Sequence, residues 1–159
     1  MAEDLSRSSR RIQDALASLG TAFEVVELPS STRTAVEAAT AIGCSVEQIA
    51  KSIVFRTVKD KKPVMVIASG VNRVNEARIA DVVGEPIEKA DAAYVREKTG
   101  FVIGGVPPIG HAEPIYTIID EDLLKLGEVW AAAGTPNAVF KLSATSLLEL
   151  TAGTLLSIR

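Results

Sequence analysis

Cysteine, histidine and aromatic rings are all scarce in this 159-residue chain. A single cysteine, Cys44, excludes an intrachain disulfide and any cysteine-rich metal centre. The lone histidine, His111, has no second histidine, cysteine or serine motif to complete a metal or catalytic set. Aromatic residues make up 4% of the chain, too few for a single-strand binder built on a row of stacking platforms. No apolar run approaches the roughly 20 residues that span a bilayer. The polar first segment, MAEDLSRSSRRIQDALASLG, lacks the apolar core of a signal peptide. A formal charge of −3 argues against a broad basic surface but is compatible with a small local phosphate site. With 47% hydrophobic residues, the expectation is one cytosolic globular domain over residues 1–159. No metal, cofactor, membrane or DNA partner is expected.

Ile12, Ala15, Leu16 and Leu19 recur at helical spacing up to Gly20. FEVVELP reads as a strand closed by Pro29. TRTAVEAATAIG reads as a helix with Thr34 as cap and Gly43 as stop, and Ser45 caps a short turn in SVEQIA. KSIVFRTV and KPVMVIAS are the strongest strands. They form a hairpin about the charged tip KDKK, the second strand apolar enough to be buried on both faces. Helices follow from Asn75 and Asp91, then strands in PIYTIID, EVWAAAG and NAVFKLS, with a short helix in EDLLKL. A helix capped by Ser143 and a final strand, TLLSI, complete the pattern. So many adjacent strands do not suit a doubly wound parallel fold. The expected class is mixed α/β: one mixed sheet, curled toward a barrel, with helices around it.

Two features could carry chemistry. Strand alternation places Lys51 on one face with Ile53 and Phe55, where an ammonium must snorkel, find a partner or serve a ligand. A strand-end lysine with its head in water is the plainer reading. The other feature is GGVPPIGH, residues 104–111. Amides near Gly104, Gly105 and Val106 could converge on an anion or a carbonyl oxygen, with Pro107 and Pro108 stiffening the loop. A tight connection between elements is the plainer reading here too. GVNRVN, residues 70–75, joins a strand to a helix whose first turn could meet phosphate, without the spacing of a nucleotide motif. GTPN, residues 134–137, is a turn by composition.

IAKSIVF, PVMVIASG, the NEAR helix start, TGFVIGGVPPIGH and GTPNAVFKLS occur in an order and spacing that resembles the YbaK/EbsC family. This family, also called ProX or prolyl-tRNA synthetase insertion-domain-like, comprises aminoacyl-tRNA deacylases. The resemblance runs from about Phe23 to the C-terminus, and Gly104 to Pro108 satisfies the family's G-x-x-x-P pattern. It implies a six- to seven-stranded mixed sheet, partly barrel-like and flanked by helices, and trans-editing: hydrolysis of the ester joining a small mischarged amino acid to the terminal adenosine of tRNA. Lys51 would lie beside that nucleotide's phosphate, and amides of the Gly104–Pro108 loop would hold the aminoacyl carbonyl. An ordered water, helped by the ribose hydroxyl, would attack without a side-chain base.

The expected catalytic set is Lys51, Gly104 and Gly105, with Val106, Pro107, Pro108, His111, Ser52 and Asn137 binding substrate. Arg56, Lys59, Lys61 and Lys62 would meet tRNA from the hairpin tip. The partners are the acceptor end of a mischarged tRNA and an aminoacyl-tRNA synthetase. Alanine-selective members carry a histidine near the GTPN position, and this chain has none there. Cysteine or a slightly larger substrate therefore stays open. The alternatives are a non-catalytic tRNA- or synthetase-binding module of the same fold and a hydrolase of another small acyl ester.

Overall fold

A computed structural model describes residues 5–29 and 34–159. Helix α1 (Arg7–Ser18) starts at Ser6, whose hydroxyl accepts the Ser9 amide, and buries Ile12 and Leu16. Leu19, grouped with that apolar stripe by spacing, is the C-cap and stands 56% exposed, because the helix ends before its side chain can turn inward. Strand β1 (Val25–Glu27) leads to α2 (Ala35–Ile42), closed by Gly43 in the left-handed region. Thr34 and Glu37 form a reciprocal capping box at its start. The first four residues and Thr32–Arg33, assigned helical patterning from sequence, lie outside the described residues.

A 3-10 turn at Val46–Gln48 enters the long hairpin of β2 (Ile49–Thr57) and β3 (Pro63–Ser69). Their antiparallel register runs from Ala50↔Ser69 to Arg56↔Pro63. Every residue of β3 from Val64 to Ser69 is buried, as its unbroken apolar run requires when both sheet faces are covered. Helix α3 (Glu76–Val83) is capped by Asn75, β4 (Ile87–Lys89) follows, and α4 (Ala92–Thr99) is capped by Asp91. The remaining elements are β5 (Tyr116–Asp120), a 3-10 turn, β6 (Glu128–Ala132), β7 (Ala138–Ser143), α5 (Ala144–Thr151) and β8 (Thr154–Leu156).

The eight strands form one open mixed sheet in the order β1-β7-β6-β2-β3-β5-β8, with β4 added to β2. The count exceeds six to seven because β4 is a three-residue strand with little periodicity of its own. One face carries Ile12, Leu16, Phe101, Val106 and Phe140. The other carries Phe55, Val64, Val66, Ile79 and Ile158. Among the described residues no helix is long and apolar enough to cross a membrane.

The sheet has an interruption that positions everything below. On the side of β2 away from β3, β6 pairs only with Ile49 and Ala50, in parallel. On that same side β4 pairs only with Phe55, Arg56 and Thr57, antiparallel. Between them neither strand reaches Lys51–Val54, where the Val54 carbonyl alone is met, by the Ala90 amide at 3.3 Å. Backbone groups alternate from one edge of a strand to the other, so those of Ser52 face the same side as Val54's.

Candidate active site

This gap opens into a cleft of about 910 Å³. Lys51, Ser52 and Val54 line it from β2, Arg73 and Glu76 from the approach to α3, and Lys89 from β4. Ile103, Gly104 and Val106 come from the glycine-proline loop, and Trp130 and Ala131 from β6. The charged groups sit at the face shared with α3. Val54, Val95, Val106 and Ala131 belong to the apolar cluster of the opposite face and give the cleft a dry end of small side chains.

Lys51 is half-buried, and its ammonium has neither an ion pair nor a hydrogen bond among the described residues. Burial pushes its pKa below the ordinary lysine value, and the charges of Arg73 and Lys89 push the same way. Burying an ammonium without a partner is costly, and among the described residues no acid offsets that cost for Lys51. Arg73 and Lys89 are also without ion pairs among the described residues, and Glu76 is the one acid among the lining residues described. A chain of net charge −3 thus concentrates three cations in one cleft.

Arg73 is held there by the turn before α3. The Asn72 side-chain amide donates to Asp120 Oδ2 at 2.8 Å and to Asp122 Oδ2 at 2.9 Å, and the Ser69 amide donates to the same Asp120 oxygen at 3.0 Å. Sequence reasoning missed Arg73 and Lys89 as site residues. The GVNRVN stretch carried the only signal for the first. For Lys89 there was none, since β4 is too short to show a pattern.

In the loop, Gly104 takes φ +91°, a conformation that side chains rarely adopt. Gly105 is needed for a different reason. A Cβ there would stand 2.7 Å from both the Thr135 Cα and its carbonyl carbon. The Gly105 carbonyl accepts the Gly134 amide at 2.9 Å, so the loop is sewn to the GTPN turn rather than presented bare to the cleft. The Gly105 amide is itself occupied, donating to the Val102 carbonyl at 3.0 Å. Among the described residues, the amides of Gly104 and Val106 have no acceptor. Both residues line the cleft, and Val106 is only 4% exposed, too buried for water to satisfy its amide freely.

Pro107 and Pro108 are buried behind this surface. His111 lies behind them, beside a separate groove formed with Ala15, Leu19 and Leu150. Its Nε2 is 2.7 Å from the Pro107 carbonyl. A carbonyl only accepts, so Nε2 carries the proton. Burial lowers the imidazole pKa, opposed by this bond. The structure therefore brings Lys51, Ser52, Gly104 and Val106 together and leaves His111 off the cleft. Asn137 also stays outside, its amide donating to the Leu28 carbonyl at 3.0 Å. At the hairpin tip, Arg56 and Lys61 share the Glu88 carboxylate at 2.6 and 3.2 Å, leaving Lys59 and Lys62 as its unpaired cations among the described residues.

The family model of the aminoacyl-tRNA editing domain matches residues 29–150. YwhH of Bacillus subtilis is 31% identical over 126 residues, covering 79% of this chain and 80% of that protein. A proline–tRNA ligase of Limosilactobacillus fermentum is 34% identical over 91 residues, 55% of this chain but only 16% of the ligase. A crystal structure described as a candidate trans-editing enzyme for prolyl tRNA synthetase is 47% identical and superposes with a TM-score of 0.92, covering 98% of this chain and 99% of that one. The bare edge of β2, the glycine-proline loop and these likenesses converge: the chain belongs to the aminoacyl-tRNA editing domain family.

Proposed function

We propose that this protein is a trans-editing aminoacyl-tRNA deacylase that hydrolyses the ester of a small mischarged amino acid. The observation that carries this reading is that the amides of Gly104 and Val106, residues lining the same cleft as Lys51, have no acceptor among the described residues. An aminoacyl ester attached to a nucleotide offers a carbonyl oxygen for the amides and a phosphodiester for Lys51, Arg73 and Lys89. Water adds to the carbonyl carbon, the oxygen takes up negative charge beside the two amides, and the C–O bond to the ribose breaks. The ribose oxygen leaves with a proton, and the free amino acid carries the new hydroxyl oxygen. Fixed donors at a developing oxyanion are worth about 10²–10³ in rate each. Positioning of the ester supplies the rest of what this site offers.

Two further points support the reading. Glu76 is the one carboxylate among the described residues lining the cleft, which has no imidazole, and in this reading the attacking water draws its help from the substrate's ribose hydroxyl. The dry end of the cleft, walled by Val54, Val95, Val106 and Ala131, suits a small side chain. The trans mode and a synthetase partner rest on the similar protein of matching length described for prolyl tRNA synthetase.

The test is deacylation of a panel of mischarged tRNAs by the purified protein. Release of small amino acids, with tRNA charged with phenylalanine spared, is the expected outcome. Binding without release would make the chain a tRNA-binding module instead. Hydrolysis of simple acyl esters with indifference to tRNA would make it a general esterase.

A further inference from the structure

Among the described residues, one buried side-chain polar atom has no hydrogen-bond partner: the hydroxyl oxygen of Ser52. Other hydroxyls on buried residues find partners: the Ser6 hydroxyl donates to that of Ser9, and Thr57 accepts the Lys62 amide. Ser69 donates to Glu47 at 2.8 Å, Thr99 to Val95 at 2.7 Å and Thr117 to Ile115 at 3.1 Å. Leaving such a group unpaired costs about 1–3 kcal/mol. An alanine at this position would avoid that cost, so the hydroxyl does not serve the fold.

Its place in the sheet says what it does serve. Alternation along β2 puts Ser52 on the face of Ala50 and Val54, toward the cluster that includes Val95, Val106 and Ala131. These are the apolar residues of the dry end of the cleft. Ser52 also lies on the stretch that neither β4 nor β6 covers, next in sequence to Lys51. The hydroxyl therefore borders the acyl end of the site, shielded from water, and its χ1 can move between staggered wells to meet a partner.

We propose that Ser52 determines acyl specificity by pairing with a hydroxyl on the substrate's side chain, so that a seryl ester is preferred to an alanyl one. This rests on the deacylase reading above and adds the substrate's chemistry to it. An apolar pocket discriminates weakly between groups differing by one small substituent. A buried polar group does so strongly, because the wrong substrate leaves it unpaired. An alanyl methyl fills the dry end and leaves the Ser52 oxygen as it was. A seryl hydroxyl ends its isolation. A thiol, a weaker donor and acceptor, gains less.

The experiment charges one tRNA body with serine and, separately, with alanine, and measures single-turnover hydrolysis by the parent, Ser52→Ala and Ser52→Cys. The parent is expected to favour the seryl ester by about tenfold or more, the worth of one hydrogen bond at the upper end of its usual range. Ser52→Ala should bring the seryl-to-alanyl ratio close to one, with Ser52→Cys between. Urea unfolding should find Ser52→Ala at least as stable as the parent. Equal parent rates on the two esters overturn the proposal, as does a ratio that survives in Ser52→Ala while both rates fall together. A parent inactive on every charged tRNA overturns the deacylase reading itself, and this one with it.

Discussion

Replacing Gly105 by alanine tests whether the glycine-proline loop is held by the turn behind it. The added Cβ would lie 2.7 Å from the Thr135 Cα and carbonyl carbon and 2.9 Å from its amide nitrogen. Carbon atoms rest at about 3.5–4.0 Å, so loop and turn must separate by close to 1 Å. Overpacking of this kind costs about 1–3 kcal/mol. The Gly134–Gly105 hydrogen bond adds about 1 kcal/mol if it breaks. For a chain of this size the sum lowers Tm by about 4–16 °C. The rate should fall further than stability suggests, because a 1 Å error in placing reacting groups costs about 10²-fold. Single-turnover deacylation and thermal unfolding of the same preparation read both effects. Thr135→Ala should not rescue the variant, since every close atom belongs to the Thr135 backbone. Parent-like rate and Tm in Gly105→Ala, or rescue by Thr135→Ala, would refute the reasoning.

Further outcomes are expected at the cleft, the hairpin tip and His111. Lys51→Ala should lower deacylation about 10²-fold or more while circular dichroism stays that of the parent. Because Lys51 is held below its ordinary pKa, the unfolded chain binds more protons across that interval. Stability should rise with pH from the folded value up to the ordinary one, and Lys51→Met should remove that rise. Arg73→Ala with Lys89→Ala should flatten the salt dependence of tRNA binding by about one in slope for each phosphate no longer neutralised, measured by filter binding. Lys59→Ala with Lys62→Ala should flatten it less, because the hairpin tip lies outside the cleft lining. His111→Ala should lower kcat more than it raises KM by freeing the Pro107 carbonyl, and His111→Gln, which can still donate, should restore most of the rate. Burial lowers the His111 pKa, so acid favours the unfolded chain below the ordinary value of 6.5, and His111→Gln should flatten the stability–pH curve there.

The helices and the central hairpin were legible because their signals are local. Thr34 with Glu37, Asn75, Asp91 and Ser143 each satisfy amides within three residues of themselves, which is what a cap in a sequence announces. The apolar run of β3 announced its own burial on both faces. Of the three-residue strands, β1 and β8 were read from FEVVELP and TLLSI, whereas β4 was not legible, since its pairing is fixed by a partner far away in sequence, β2. Leu19 misled for a related reason. Spacing marks a helical face but not the residue at which packing against that face ends.

The site shows the same division more sharply. Lys51 and the glycine-proline loop stood out because a lysine among apolar neighbours and a glycine beside two prolines are locally odd. What joins them is an absence, the stretch of β2 that neither β4 nor β6 covers, and no local pattern encodes an unpaired edge. That absence also explains how the loop residues divide their work. The Gly105 amide is spent on the Val102 carbonyl and its α-carbon on Thr135, so it fixes the loop. The amides of Gly104 and Val106, on either side, have no acceptor among the described residues. Two adjacent glycines that look equivalent in sequence thus do different things, one by conformation and one by close approach. The proposed chemistry depends on both.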